Sequence, residues 1–381
     1  MSRARDRADS SPTISGDLTV SGDLVPSTAL SHRNMIINGG MVVNQRGETP
    51  NKNSTTLYAA DRWKPQSTGL DQCDFTFTQS STDAPTDKGF DKSLRLLMGT
   101  AESSTGVNEY LRLRYVIESN ELRPLCFGTP SAKNFTLSFW VRSSVTQTWA
   151  GNIAESSGSK NIGFTFSIDA ANTWEKKEIT FVGNTHDVPP LNNTAGLYIY
   201  IYLAAGTNHY GTANTTWAAA TATRDADGMT NTNTLILTAG ATFNITGIQL
   251  ELGSSATPFE HRSYGDELAR CQRYCYRMPT TGTAGTYDQV CAGFRNNSTY
   301  LWAPLSLPCE MRGIPVITHA NLAIWYGTQG SWSTTFTGLS FYGYEFPSNI
   351  APFSLSGIST SISYGILSFQ NGGYIQLSAE L

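Results

Sequence analysis

Six aromatic residues of the chain have polar neighbours that would suit a sugar-binding surface. Sugars present apolar C–H faces beside hydroxyl groups, so an aromatic ring flanked by amide or hydroxyl side chains can hold them. The candidate glycan-binding residues lie in stretches rich in Gly, Ser, Thr and Asn that predict loops: Trp217, Trp325, Tyr326, Trp332, Tyr342 and Tyr344. The alternative is that these rings fill a small core or a subunit interface.

Residues for acid–base or metal chemistry are scattered. The carboxylates form no motif that would place two of them the roughly 5–9 Å apart that glycoside hydrolysis requires. The five histidines have no metal-ligand spacing, and no nucleophile elbow or P-loop is present. The sequence therefore predicts a non-enzymatic protein without catalytic residues, metal or cofactor.

The composition predicts a mainly β protein. Charged residues make up 15% of the 381 residues, below the roughly 25% of ordinary soluble domains, and Thr, Ser, Asn and Gly take their place. A net charge of −4 without a basic block argues against nucleic acid as a partner. No apolar run is long enough for membrane insertion, and no apolar stretch follows the charged N-terminus as in a secretory signal.

The six cysteines form no CxxC pair, which argues against zinc. Free thiols are the first expectation. Four of the cysteines fall between Cys271 and Cys309, so a late disulfide there is the alternative.

The first 33 residues predict an arm and a β-repeat stem. Ser-Gly-Asp-Leu occurs at 15–18 and again at 21–24, and the apolar positions are Leu18, Val20, Leu24 and Val25. Two such repeats cannot cover their own apolar face, so identical chains would have to supply the neighbours. Residues 1–33 therefore predict attachment and trimerisation; an extended linker with chance similarity is the alternative.

Residues 34–262 predict one large β-sandwich or jelly roll. Leu137, Phe139 and Val141 alternate with polar or outward residues, as expected for a strand with one buried face. In 197–203 aliphatic residues take one face and tyrosines the other, which predicts a central strand covered on both faces. Trp63, Trp140 and Trp174 lie in or beside such strands and are expected to be structural.

One helix is predicted at 263–277, as a connector. Ser263 is its expected N-cap, and Leu268, Cys271 and Cys275 form a narrow apolar stripe. Residues 278–381 return to strand patterns. They predict a smaller C-terminal β domain whose last strand is paired into the final sheet and whose loops form a receptor-binding tip.

Several strings resemble a family of tail-fibre and related virion proteins of tailed bacteriophages. They are NMIINGGMVVNQRG at 34–47, DRW at 61–63, LSFWVRS at 137–143, NTWEKK at 172–177, ITGIQLELG at 245–253, TPFEHRSYG at 257–265 and CQRY at 271–274. The last three are the most specific, and all occur in the same order as in the family.

The resemblance implies a carbohydrate-binding-like jelly roll followed by a variable C-terminal domain on a trimeric, non-catalytic fibre. It allows a calcium ion in the sandwich, although no dense Asp/Asn loop is present. We therefore expect a homotrimeric tail-fibre subunit, assembled in the host cytoplasm, that joins other virion tail proteins through its N-terminal arm and binds a host-surface glycan. Capsid decoration or a head fibre is the alternative, and a glycan-degrading tailspike is a less favoured one.

Overall fold

The computed structural model describes residues 32–54, 56–186, 188–209, 214–219, 233–279, 289–295, 300–326, 331–333, 338–341, 350–356 and 364–381. These residues form a mainly β protein, with two antiparallel sheets packed as a jelly-roll sandwich and a third sheet after one helix. The predicted fold class is therefore confirmed. The stem residues Leu18, Val20, Leu24 and Val25 lie outside the described residues.

Eleven described strands build the sandwich. In chain order they are β1 (Lys64–Thr68), β2 (Phe75–Ser80), β3 (Ser93–Met98), β4 (Tyr110–Glu118), β5 (Phe135–Ser143), β6 (Thr148–Glu155), β7 (Lys160–Ser167), β8 (Glu175–Phe181), β9 (Ala195–Ala205), β10 (Ala218–Ala219) and β11 (Thr242–Leu252). Short 3-10 helices occupy Thr86–Lys88 and Ser119–Leu125. The first sheet has the order β1-β4-β9-β6-β7-β10 and the second β2-β3-β11-β5-β8.

The two sheets share one large apolar core because their strands alternate inward and outward residues. Leu137, Phe139 and Val141 on β5 are fully buried, as the sequence predicts. The largest side chains that are less than 2% exposed in this core are aromatic: Trp63, Tyr115, Trp149, Tyr202, Phe75, Phe77, Phe135, Phe139 and Phe243. Burial of each contributes roughly 1.5–3 kcal/mol.

The helix α1 spans Tyr264–Gln272 and begins where the sequence predicts. The Asp266 N–H donates to Ser263 Oγ at 3.2 Å, so Ser263 is the N-cap. The predicted end at Arg277 is wrong. Cys275 begins β12 (Cys275–Pro279), whose backbone pairs with 374–378, and these sheet hydrogen bonds outweigh the local helical pattern.

The third sheet is organised around one long strand. After β12 its strands are β13 (Gln289–Arg295), β14 (Tyr300–Ser306), β15 (Val316–Tyr326), β16 (Ser331–Ser333), β17 (Gly338–Phe341), β18 (Ile350–Ser356) and β19 (Tyr364–Ser378). The order is β16-β15-β19-β13-β14-β18-β17, and β12 also pairs with β19. Ile375, Leu377 and Ala379 are buried, which confirms that the end of the chain is paired into the last sheet.

All six cysteines lie within the described ranges and are free thiols. Cys271 and Cys275 are buried, and burial raises the pKa of both thiols. Cys126 is exposed. Over the described ranges, no helix combines the length and the apolar character needed to cross a bilayer.

Four buried charged side chains join the third sheet to the sandwich. We call Arg46, Asp61, Arg62 and Glu380 the junction cluster. Arg46 Nη2 lies 3.0 Å from Glu380 Oε1, Arg62 Nη1 lies 2.5 Å from Glu380 Oε2, and Arg46 Nη1 lies 3.5 Å from Asp61. The Tyr274 ring packs on Arg62, whose Cζ is 3.5 Å from the ring centroid. Residues far apart in sequence are therefore held in one ionic site.

The arginines set the protonation of the Glu380 carboxyl. Burial alone would raise its pKa, but Arg62 and Arg46 outweigh burial and hold the pKa below its ordinary value. A carboxyl whose pKa is lowered on folding stabilises the fold above its unfolded pKa of about 4.3. That contribution is lost as the pH falls through the folded pKa.

Replacing the junction carboxylate should destabilise the protein strongly. In Glu380→Gln two guanidinium groups stay buried without their shared anion, and loss of one partner from a buried ion pair costs about 3–5 kcal/mol. Denaturant unfolding at pH 7 measures this difference. Glu178→Gln is the matched control, because its exposed pair with Lys176 should contribute less than about 1 kcal/mol.

The same pair of proteins tests the pH dependence. The stability gap between the wild type and Glu380→Gln should be largest at neutral pH. It should begin to shrink below pH about 4.3, where Glu380 of the unfolded wild type becomes protonated, and should be lost as the pH falls through the folded pKa. A gap that is small at pH 7, or that does not change in acid, would contradict the ionic role of Glu380.

Candidate functional site

The outer face of the first sheet carries a row of tyrosine and arginine side chains. We call Tyr110, Arg112, Arg114, Tyr198 and Tyr200 the tyrosine–arginine face. All five are half-buried, whereas the residues between them on β4 and β9 are buried in the core. The period of two residues in each strand explains this division.

The register of the two strands brings these side chains together. Arg114 pairs with Tyr200 across the β4–β9 ladder, and Arg112 pairs with Tyr202. Residues directly opposite in an antiparallel pair have Cβ atoms roughly 4.5–5.5 Å apart, so they contact each other on one face. The alternating Tyr-x-Arg-x-Arg and Tyr-x-Tyr patterns therefore become one continuous surface.

The rings and guanidinium groups of this face pack closely. The Tyr198 and Tyr200 ring centroids are 5.8 Å apart with an interplanar angle of 26°. Arg112 Cζ lies 4.1 Å from the Tyr200 centroid and 4.7 Å from that of Tyr110, and Arg114 Cζ lies 4.9 Å from that of Tyr198. Such cation–π contacts hold both ring and guanidinium in place.

Arg112 is further fixed by polar partners. It donates to Gln66 Oε1 at 3.0 Å and to the Tyr202 hydroxyl at 2.6 Å. Burial alone would lower the pKa of Arg112, but Tyr202, Tyr200 and Tyr110 outweigh burial and raise it. The face therefore carries a permanent positive charge among aromatic rings.

Small residues lie on the other side of the tyrosines. On β6, Ala154 pairs with Tyr198 and Asn152 with Tyr200, and Gly163 of β7 follows opposite Asn152. Because these side chains are smaller than the tyrosine rings, the rings project further from the sheet than their neighbours and form a step. A sugar ring could lie on this step, with its C–H face toward a tyrosine and its hydroxyl groups toward guanidinium groups.

Trp217 is the one predicted glycan-binding residue whose side chain lies within the described part of the chain. Trp217 is 8% exposed, its ring is 5.8 Å from that of Phe127, and its indole N–H donates to the Val182 carbonyl at 2.8 Å. It is therefore a core residue and cannot serve as an exposed platform. Tyr342 and Tyr344 lie outside the described residues.

The two predicted loop tryptophans lie in strands, not loops. The backbone of Trp325 is in β15 and pairs with that of Trp332 in β16, at the edge of the third sheet. Tyr326 pairs with Ser331. The side chains of these residues lie outside what the structure describes. Trp63, by contrast, is fully buried, and Trp140 and Trp174 are half-buried.

Sequence reasoning missed the tyrosine–arginine face because it treated both faces of 197–203 as covered. Tyr202 is indeed buried, but Tyr198 and Tyr200 are half-buried on the outer face. The signal was present in the repeated outward tyrosines of β9 and the outward arginines of β4. In the parts of the chain that are described, no group of three or more His, Cys, Asp or Glu side chains could hold a metal ion.

No protein-family model and no curated protein matches this sequence. Weak similarities to solved structures exist. A domain of the bacteriophage CBA120 tailspike protein 4 is 16% identical, with a TM-score of 0.32, over 58% of this chain and only 21% of the tailspike chain. TmCBM61, solved with β-1,4-galactotriose, is 10% identical over 58% of this chain and 99% of its own, with a TM-score of 0.29.

The family 11 carbohydrate-binding module from Clostridium thermocellum, solved with a β-1,3-1,4-mixed-linked tetrasaccharide, is similar at the same level. It is 12% identical over 56% of this chain and 97% of its own, with a TM-score of 0.26. At these values the sandwich assignment rests on the strand order and core of this chain itself.

Proposed function

We propose that this protein is a non-enzymatic, glycan-binding subunit of a bacteriophage tail fibre that attaches the particle to the surface of its bacterial host. The tyrosine–arginine face carries the glycan-binding part of the proposal. It combines half-buried tyrosine rings with arginine hydrogen-bond donors on paired strands, and aromatic rings beside polar groups are what sugar recognition needs.

The tail-fibre part of the proposal rests on sequence. The strings between 34 and 274 resemble those of phage fibre proteins, and the Ser-Gly-Asp-Leu repeats suit a trimeric stem. Three linked copies would raise the effective concentration of weak sugar contacts and so hold a particle at a cell surface. The paired strands that carry Trp325 and Trp332 offer a second contact region at a sheet edge.

Two other functions compete with this proposal. A capsid decoration or head-fibre protein would use the same sandwich at another place on the virion. A tailspike would cleave the glycan it binds and would require a pair of carboxylates in a groove. Neither has a specific observation in its favour, so adhesion without catalysis is preferred.

Removing a tyrosine ring from the face should weaken glycan binding. We expect Tyr200→Ala to lower affinity for purified host-surface polysaccharide at least about fivefold, because tyrosine is enriched among the interface residues whose truncation costs more than about 1 kcal/mol. Surface plasmon resonance on immobilised polysaccharide measures the change. Tyr264→Ala is the control, since Tyr264 is 60% exposed on the helix.

The outcomes of this experiment separate the alternatives. Undiminished binding by folded Tyr198→Ala and Tyr200→Ala proteins would reject the face as the site. Loss of binding only in Trp325→Ala and Trp332→Ala would move the receptor contact to the third sheet. Release of reducing ends from the polysaccharide would instead make the protein an enzyme.

The oligomeric state tests the proposed stem. Light scattering should give about three times the 41.4 kDa mass of one chain, and removal of residues 1–33 should give a monomer that still folds. A full-length monomer would contradict trimerisation, and a trimer that survives the truncation would place the subunit interface elsewhere.

The position on the virion is tested by imaging. Gold-labelled antibody against residues 278–381 should mark the distal tail in electron micrographs. Label on the capsid would overturn the tail-fibre assignment and support the head-fibre alternative.

A further inference from the structure

A cavity opens at one end of the sandwich, where β6 ends and β9 begins. Its volume is about 310 Å³. We propose that this end pocket is a separate binding site for a single neutral sugar ring or a similar polyol. The end pocket has its own lining residues and shares none with the tyrosine–arginine face.

The polar side of the end pocket is the Glu155 carboxylate, which hydrogen bonds from neighbouring side chains hold in place. Glu155 is 7% exposed, and it accepts hydrogen bonds from the Asn184 side-chain amide and from Ser159 Oγ at 2.7 Å. Ser157 Oγ lies 3.4 Å from the same carboxylate oxygen. Charged acceptors make stronger hydrogen bonds than neutral ones, so this carboxylate is suited to hydroxyl donors from a ligand.

The opposite side of the end pocket is apolar. Leu122, Phe127 and Leu197 belong to the buried core and line the cavity. Val188 lines its rim and is 67% exposed, a large exposed fraction for an apolar side chain. An apolar wall facing a carboxylate fits a sugar ring, which has a C–H face and a hydroxyl edge.

The size of the end pocket limits its ligand. Small-molecule sites are usually roughly 300–1,000 Å³, so a cavity of about 310 Å³ is at the lower end of that range. It suits one ring, not an extended chain. The carboxylate also selects against acidic sugars because like charges repel in a partly desolvated site.

The end pocket is distinct from the tyrosine–arginine face. Leu197 lines the pocket, whereas the next residue, Tyr198, belongs to the outer face. Successive residues of a strand point to opposite sides of a sheet. The two sites therefore lie on opposite sides of the first sheet, and a variant of one leaves the other unchanged.

The test uses the full chain and defined small probes. Methyl glycosides of glucose, galactose and mannose, together with mannitol and methyl glucuronide, are titrated by calorimetry and by saturation-transfer NMR. We expect saturable binding of at least one neutral probe and weaker binding of the glucuronide. Glu155→Gln should lower affinity for the bound probe about tenfold or more, and Val188→Ser should lower it severalfold.

Controls separate binding from folding. Val188→Ser changes an exposed rim residue and leaves the core intact, so it remains informative if Glu155→Gln unfolds. Glu102→Gln makes the same change at another buried glutamate, which accepts backbone N–H groups of Gln72 and Cys73, and should leave probe binding unchanged. Tyr200→Ala should also leave it unchanged, while lowering polysaccharide binding.

Two results would overturn the end-pocket proposal. One is the absence of saturable binding for every probe by the wild-type protein. The other is a bound probe whose affinity is the same in folded Val188→Ser and Glu155→Gln. Neither result bears on the tyrosine–arginine face, whose test uses polysaccharide and Tyr200.

Discussion

The buried ionic contacts of Glu380 with Arg46 and Arg62 constrain the whole described structure. Three charged groups buried away from water are stable only if opposite charges lie within hydrogen-bond distance and none of the three moves away. Asp61 adds a second carboxylate beside Arg46, so the junction cluster is formally neutral. Because Glu380 lies two residues after the end of β19, the cluster fixes the long central strand of the third sheet against the sandwich.

The surroundings of the cluster extend this constraint. Tyr274 packs on Arg62 and donates its hydroxyl to Glu118 at 2.7 Å, and Arg273 contacts the same carboxylate at 2.9 Å. Arg46, Arg62 and Tyr274 fall within the strings NMIINGGMVVNQRG at 34–47, DRW at 61–63 and CQRY at 271–274. These strings are thereby explained as architecture that joins the sandwich to the region after the helix.

The junction also reaches the proposed binding face. Arg114 donates to the Leu381 carbonyl at 2.9 Å and packs on Tyr198, so one side chain touches both the chain end and the aromatic row. A face held in this way loses little conformational entropy on binding, which favours recognition of weakly binding ligands such as sugars. The end pocket lies on the other side of the same sheet and is built from the core and from β6.

Periodic and local features could be predicted from the order of the residues. Alternation placed Phe139 and Ile375 in buried strand positions, and Ser263 marked the helix start through a cap that involves only near neighbours. Other features depend on which segments pack against each other. The alternation of apolar and polar residues shows which residues share a face of a strand, but not whether another layer covers that face. Trp217 is therefore buried, whereas Tyr198 is half-buried. Glu380 pairs with Arg62, which is 318 residues away in the sequence. Cys275 lies in a strand, not in the predicted helix, because its backbone pairs with Ser378. No local pattern encodes either contact.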